Sequence, residues 1–106
     1  SSFRALLRQH VAQGGITARH AADLVRMSPK SLARRLSAFD TTASKEILSA
    51  KMDYAKHALT TSDRSVEKIS LDLGYSDASN FARAFAKLVG ATPTDFRESN
   101  RDGSAK

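Results

Sequence analysis

Two stretches of this sequence, Ser28 to Leu36 and Asp77 to Phe85, carry the same order of cap, core and arginine positions at a separation of 49 residues. A repeat of that kind confines the chain to two copies of one packing unit. The second copy parses most readily. Ser65 is a helix N-cap, with Ile69 and Leu73 following on one face. Gly74 stands where a helix ends in the left-handed conformation that only glycine adopts cheaply. Asp77 caps the next helix, whose Phe81, Phe85, Leu88 and Val89 recur at i, i+4, i+7 and i+8. Gly90 ends that helix, and Thr92 with Pro93 opens another. Two helices joined by Gly74-Tyr75-Ser76-Asp77 form a helix-turn-helix, a motif whose second helix can lie in a DNA major groove.

The first copy has the same parts. Thr17 caps a helix with Ala21, Leu24 and Val25 facing inward, and Arg26-Met27 makes a short turn. Ser28-Pro29 restarts the chain as cap and first helical residue. The helix that follows is predicted to reach about Phe39, with Leu32, Leu36 and Phe39 inward and Lys30, Ala33, Arg34 and Ser37 opposite. Arg35 lies near the boundary. Duplication of a packing unit accounts for the apolar positions of both copies. It does not account for Arg34 and Arg83 recurring on the solvent-facing side of both second helices. Ala22 and Ser70 are 48 residues apart rather than 49, because the second turn has one extra residue.

Outside the copies, Phe3, Leu6, Leu7, His10 and Val11 predict a helix from about Ser2 to Gln13, ended by Gly14-Gly15. Asp40-Thr41-Thr42 interrupts the pattern, and a longer helix follows to about Leu59, with Ile47, Leu48, Met52, Tyr54, Ala55, Ala58 and Leu59 as its apolar positions. A strut of roughly 16 residues is about 24 Å long. With about 10 Å for flanking helices it approaches the ~34 Å between successive major-groove segments on one face of DNA. The expected division is a first unit over 1–41, a connecting helix over 42–60, a second unit over 61–98 and a frayed tail over 99–106.

Charge narrows the function classes. The chain has 17 Lys and Arg against 11 Asp and Glu, and the whole excess of +6 falls in residues 1–56, which hold 10 basic and 4 acidic side chains. A polyanion would meet the first half more strongly, although solvated surface charge fits the same count. With no cysteine there is no disulfide or thiolate metal site, and His10, His20 and His57 are dispersed, so neither metal nor cofactor is expected. No nucleophile–base pair or phosphate-cradling loop points to an enzyme. No apolar run approaches the roughly 20 residues of a membrane span, and no signal-peptide pattern opens the chain. An intracellular, cytoplasmic domain is expected, and a start at Ser1-Ser2 suggests a piece of a longer protein.

Ile69, Ser70, Gly74-Tyr75, Asp77, Ser79, Phe81, Arg83, Phe85, Gly90, Thr92-Pro93 and Phe96-Arg97 resemble, without a gap, the C-terminal signature of AraC-type bacterial transcription regulators. Ala22, Met27-Ser28, Leu32, Arg34, Ala55 and Leu59 extend the resemblance, which covers about Phe3 to Arg97. It implies an all-α fold of about seven helices, with two homeodomain-like helix-turn-helix units joined by a connecting helix. It also implies binding to two adjacent major-groove segments of double-stranded DNA, and regulation of transcription. The partners it implies are an effector-sensing or dimerisation domain elsewhere in the full-length protein, with RNA polymerase as a further candidate. Several positions depart from the family pattern. Arg26 stands where glycine is common, at a cost of about 1 kcal/mol if the left-handed turn is kept. Thr41 stands where a glycine often ends the first recognition helix. Ala43-Ser44 replaces a Ser/Thr-Pro start, Lys51 a frequent arginine and Ile47 a frequent aromatic, which leaves the start of the connecting helix open.

The expected DNA-facing residues follow. Lys30, Ser31 and Arg34 are candidates for base or groove contacts, Arg34 through two bonds to guanine O6 and N7. Arg26, Ser28 and Arg35 are candidates for phosphate, Ser28 through the backbone amides it caps. In the second unit Ala78, Ser79, Asn80, Ala82 and Arg83 face the groove or its edge. Ala78 and Ala82 offer only apolar contact, to a thymine methyl. Asn80 either pairs with adenine or caps beside Asp77, and Arg83 either reads a base or is held by Asp77 or Asp72. The first unit is expected to supply most of the affinity. Two other readings remain: a helical interaction domain whose basic face meets an acidic protein partner, and DNA binding through the first unit alone.

Overall fold

The computed structural model describes residues 2–104, with side chains from 3 to 100. Among the described residues there are seven helices and no strand: α1 (Ser2–His10), α2 (Ala18–Leu24), α3 (Pro29–Ser37), α4 (Ala43–Thr61), α5 (Val66–Asp72), α6 (Ala78–Val89) and α7 (Pro93–Ser104). Six of them start in one way. A side-chain oxygen of Thr17, Ser28, Thr42, Ser65, Asp77 or Thr92 accepts the backbone N–H three residues on, at 2.8–3.1 Å. Each bond satisfies one of the amide donors that a helix start leaves without a partner.

The core is continuous through both units and is organised by α4. Ile47, Ala50, Met52, Ala55, Ala58 and Leu59 of that helix are all buried, with apolar residues of α1, α2 and α3 and of α5 and α6 in the same cluster. Helices α1 and α7 make the most extensive contacts to α4. In the second unit Tyr75, Phe81, Phe85 and Phe96 form a chain of rings with centroids 5.5–5.7 Å apart, a spacing that favours tilted and edge-to-face pairs. Two polar clamps fasten the periphery. Arg4 Nε and Nη2 donate to Glu46 Oε1 and Oε2 at 3.0 and 3.2 Å, and Thr41 Oγ1 donates to Glu46 Oε2 at 2.8 Å. Arg97 of α7 donates to the carbonyls of Leu59 at 3.0 Å, Ser62 at 3.3 Å and Arg64, closing the turn between α4 and α5.

Several expectations are corrected. Helix α3 stops at Ser37, and Phe39, predicted inward, is 76% exposed. The cause is a tight stop: Asp40 takes the left-handed conformation, φ +57°, and donates to Ser37 O, while Thr41 N–H donates to Leu36 O. The left-handed residue is therefore Asp40 rather than Thr41. Phe39 lines an open cavity of about 580 Å³ together with Phe3, Val25, Met27, Leu32 and Leu36. Leu88, predicted on the core face of α6, is 53% exposed, and Phe81 and Phe85 fill that face. Helix α1 ends at His10 rather than Gln13, and α4 starts at Ala43 under its Thr42 cap. Helix α7 continues to Ser104, through most of the stretch predicted as a frayed tail, while residues 105 and 106 lie outside the described ones. No described helix is long and apolar enough to cross a membrane.

Candidate nucleic-acid interface

Helices α3 and α6 each follow a preceding helix by a tight turn of the same hydrogen-bond pattern. In the first unit Arg26 N–H donates to Asp23 O and Met27 N–H to Ala22 O, at 3.1 and 3.0 Å. In the second, Gly74 N–H donates to Leu71 O and Tyr75 N–H to Ser70 O, both at 3.0 Å. Both turns need a left-handed residue, supplied by Gly74 at φ +86° and by Arg26 at φ +58°. A residue with a Cβ holds this conformation at a cost of about 1 kcal/mol, so Arg26 keeps the same turn as Gly74 while straining it.

On α3, Leu32 and Leu36 are buried, and Lys30, Ser31, Arg34 and Arg35 are exposed. Ser28 sits at the start of the helix, accepting Ser31 N–H at 3.1 Å and donating its hydroxyl to Ser31 Oγ at 3.0 Å. Ser31 Oγ, an acceptor in that bond, keeps its own proton to donate outward. Arg26, Lys30, Arg34 and Arg35 have no side-chain hydrogen bond or ion pair to any described residue. Four exposed cations with no internal acceptor thus cluster at one turn and the helix that follows it.

Helix α6 differs in just this respect. Ser79 and Arg83 are exposed, while Ala78, Asn80 and Ala82 are half-buried. Asn80 is used at both ends: its backbone N–H goes to Asp77 Oδ1, its Nδ2 donates to Ser76 Oγ at 3.0 Å, and its Oδ1 accepts from Arg83 Nη2. The partner of Arg83 is therefore Asn80, neither Asp77 nor Asp72. Asp72 is occupied by Arg64 and Lys68. Lys87, one turn beyond Arg83 on the same face, is exposed and was open to discovery from its i+4 spacing alone.

Between the units the structure places two features that pattern reading leaves unmarked. The ammonium of Lys51, on α4, lies 4.9 Å from the centre of the Tyr75 ring, and burial pushes its pKa below the ordinary lysine value. Burial likewise raises the Tyr75 phenol. Beside them, Gly14 N–H donates to Asp72 O at 2.8 Å, joining the α1–α2 connector directly to the second unit. Among the described residues no group of His, Cys, Asp and Glu is placed to hold a metal ion.

A helix-turn-helix domain family matches residues 21–99. The ornithine utilization regulator of Pseudomonas aeruginosa is 40% identical over 78 residues, 74% of this chain and 23% of its own length. The HTH-type transcriptional regulator GadX of Escherichia coli K12 is 28% identical across 94% of this chain and 38% of its own length. The chain thus spans well under half the length of these curated relatives. Among solved structures, a DNA-binding transcriptional dual regulator from Escherichia coli K-12 superposes with a TM-score of 0.83 at 23% identity, covering 94% of this chain and 89% of that one. The DNA-binding domain of AdpA, solved in complex with a target DNA, superposes at 0.81 with 20% identity, covering 99% of this chain and 95% of that one.

Proposed function

Since the chain belongs to the AraC-type helix-turn-helix family, we propose that it binds double-stranded DNA sequence-specifically by inserting α3 and α6 into adjacent major-groove segments, and so regulates transcription. The observation that carries this reading is the repeated presentation of α3 and α6. Both are capped at the start, both turn an apolar face to one core, and both bear an exposed arginine at the same place in the repeat. The solved complex of AdpA with a target DNA supports it from the same fold. Dimensions are adequate: α4 has 19 residues, about 28 Å of helix, and the molecule extends 45 Å along its long axis, against about 34 Å between groove segments.

In this reading Arg34 reads a base edge, Lys30 and Ser31 contact the groove, and Arg26, Arg35 and the amides capped by Ser28 meet phosphates. Ala78, Ser79, Ala82 and Arg83 meet the second segment. Asn80 takes part once Arg83 releases it, or else holds Arg83 in place. An effector-sensing or dimerising domain and RNA polymerase are proposed as partners of the longer protein.

The unequal engagement of cations favours the first unit as the stronger contributor. Arg34 binds DNA without giving up an internal bond, whereas Arg83 must leave Asn80 or carry it along. Titration of DNA selected from a random pool tests this across salt concentrations. Arg34→Ala is expected to lose about 1–3 kcal/mol and its base preference at one position. Arg83→Ala is expected to lose less. Equal losses would remove the asymmetry, and binding of the unaltered protein that is weak and indifferent to salt would remove the DNA reading itself.

A further inference from the structure

We propose that Gly15 and Gly74 are positioning residues that tie the two units together directly and thereby fix the spacing and relative rotation of α3 and α6. The proposal rests on the DNA reading for its consequence, though not for its geometry. Gly15 lies in the α1–α2 connector of the first unit, and Gly74 in the α5–α6 turn of the second. A Cβ on Gly15 would come within 2.9 Å of Leu73 O and 3.2 Å of Gly74 Cα. A Cβ on Gly74 would come within 2.5 Å of Gly14 O and 3.0 Å of Gly15 Cα. All four neighbours are backbone, which cannot swing aside as the end of a side chain can. Gly14 N–H donating to Asp72 O at 2.8 Å closes the same contact.

This tie does not pass through α4. A single helical strut lets the units at its two sides rock about it, and a second attachment, made backbone to backbone beside Lys51 of the strut, restricts that freedom. Left-handed backbone alone does not explain these glycines. Gly14 and Gly90 have φ of +88° and +94°, yet a Cβ on either meets nothing within 4 Å. At the corresponding position of the first unit's turn the left-handed residue is Arg26, so that turn accommodates a side chain. The turn of the second unit lacks that room, since a Cβ on Gly74 would meet the backbone of Gly14 and Gly15.

Adjacent substitutions separate backbone preference from contact. Gly14→Ala and Gly15→Ala carry the same left-handed strain, and only the second intrudes between the units. Residual dipolar couplings are measured on the full 106-residue chain for amides of α2 and α3 and of α5 and α6. Unaltered protein and Gly14→Ala should each fit one alignment tensor, whereas Gly15→Ala should need a second or rotated one. DNA selected by the unaltered protein is then varied by one base pair between its two segments, a rotation of about 34°. The unaltered protein and Gly14→Ala should lose about tenfold or more per inserted base pair, while Gly15→Ala should lose about tenfold at the original spacing and discriminate less among spacings. One tensor and one spacing profile for all three proteins would overturn the tie. If no protein bound any DNA, the functional reading would fall and the couplings would still decide the tie. Should Gly15→Ala fail to fold, amide exchange in the unaltered protein decides: a Gly14 N–H protected as well as the core supports the tie, and rapid exchange refutes it.

Discussion

Arg26 holds opposed demands in one position. Its φ of +58° belongs to glycine, yet its exposed guanidinium, with no internal partner, stands beside the capped start of α3. Arg26→Gly should therefore raise stability by about 1 kcal/mol in chemical denaturation, while lowering the salt slope of DNA binding by about 1 if the side chain meets a phosphate. A variant neither stabilised nor altered in its slope would leave the residue without a role. Arg97 is the opposite case, since its guanidinium is spent inside the molecule on the carbonyls of Leu59, Ser62 and Arg64. Arg97→Ala leaves those carbonyls without their charged donor and should cost about 2 kcal/mol. Its direct effect on DNA affinity should be small once the protein is held well below its melting temperature. Phe39, exposed at the mouth of its cavity, should tolerate Phe39→Ser within about 0.5 kcal/mol, whereas Leu36→Ala, one turn earlier and buried, should cost about 2–5 kcal/mol.

At the level of elements, the junction of α1 with α4 carries a pH dependence. Hydrogen bonds from the Arg4 guanidinium, then from the Thr41 hydroxyl, hold the Glu46 carboxyl below its ordinary value of 4.5 despite its burial. A carboxylate depressed in the folded state stabilises the fold above the unfolded value, and that stability is lost as pH falls through the folded one. The decline should begin near pH 4.5 and be flattened in Glu46→Gln. At neutral pH that variant should be weaker by about 1 kcal/mol, the 37% exposure of Arg4 keeping the pair near the low end of its range. An acid limb unchanged by the substitution would place the linkage elsewhere. The sequence disclosed the elements well because their signals are short-range: a Ser, Thr or Asp cap speaks for the amide three residues away, and Gly74 or Gly90 for its own φ. It disclosed the end of α3 poorly, because Phe39 continues the apolar spacing and only the left-handed Asp40 stops the helix. The Gly15–Gly74 contact was not legible at all, since its partners are 59 residues apart and Gly14-Gly15 already makes sense locally as a helix stop. In the candidate site, the cations of α3 were legible as exposed charges. The Asn80–Arg83 bond was open only as one alternative among several, because it depends on side-chain rotamers.

For the molecule as a whole, the charge excess lies in residues 1–56, while in the second unit Arg64, Lys68, Arg83 and Arg97 are engaged with Asp72, Asn80 or backbone carbonyls and Lys87 is left exposed. A footprint on selected DNA should cover roughly two helical turns, with the half nearer α3 the better protected. Protection of a single turn would assign binding to the first unit alone. The uniform capping of α2 to α7 has a consequence for how this shape is reached. Each start is decided by partners three residues apart, so the turns can nucleate separately while the chain is still open, and few distant encounters precede collapse. A helical chain of this kind should refold within microseconds to milliseconds, quickly enough to outrun most intermolecular trapping.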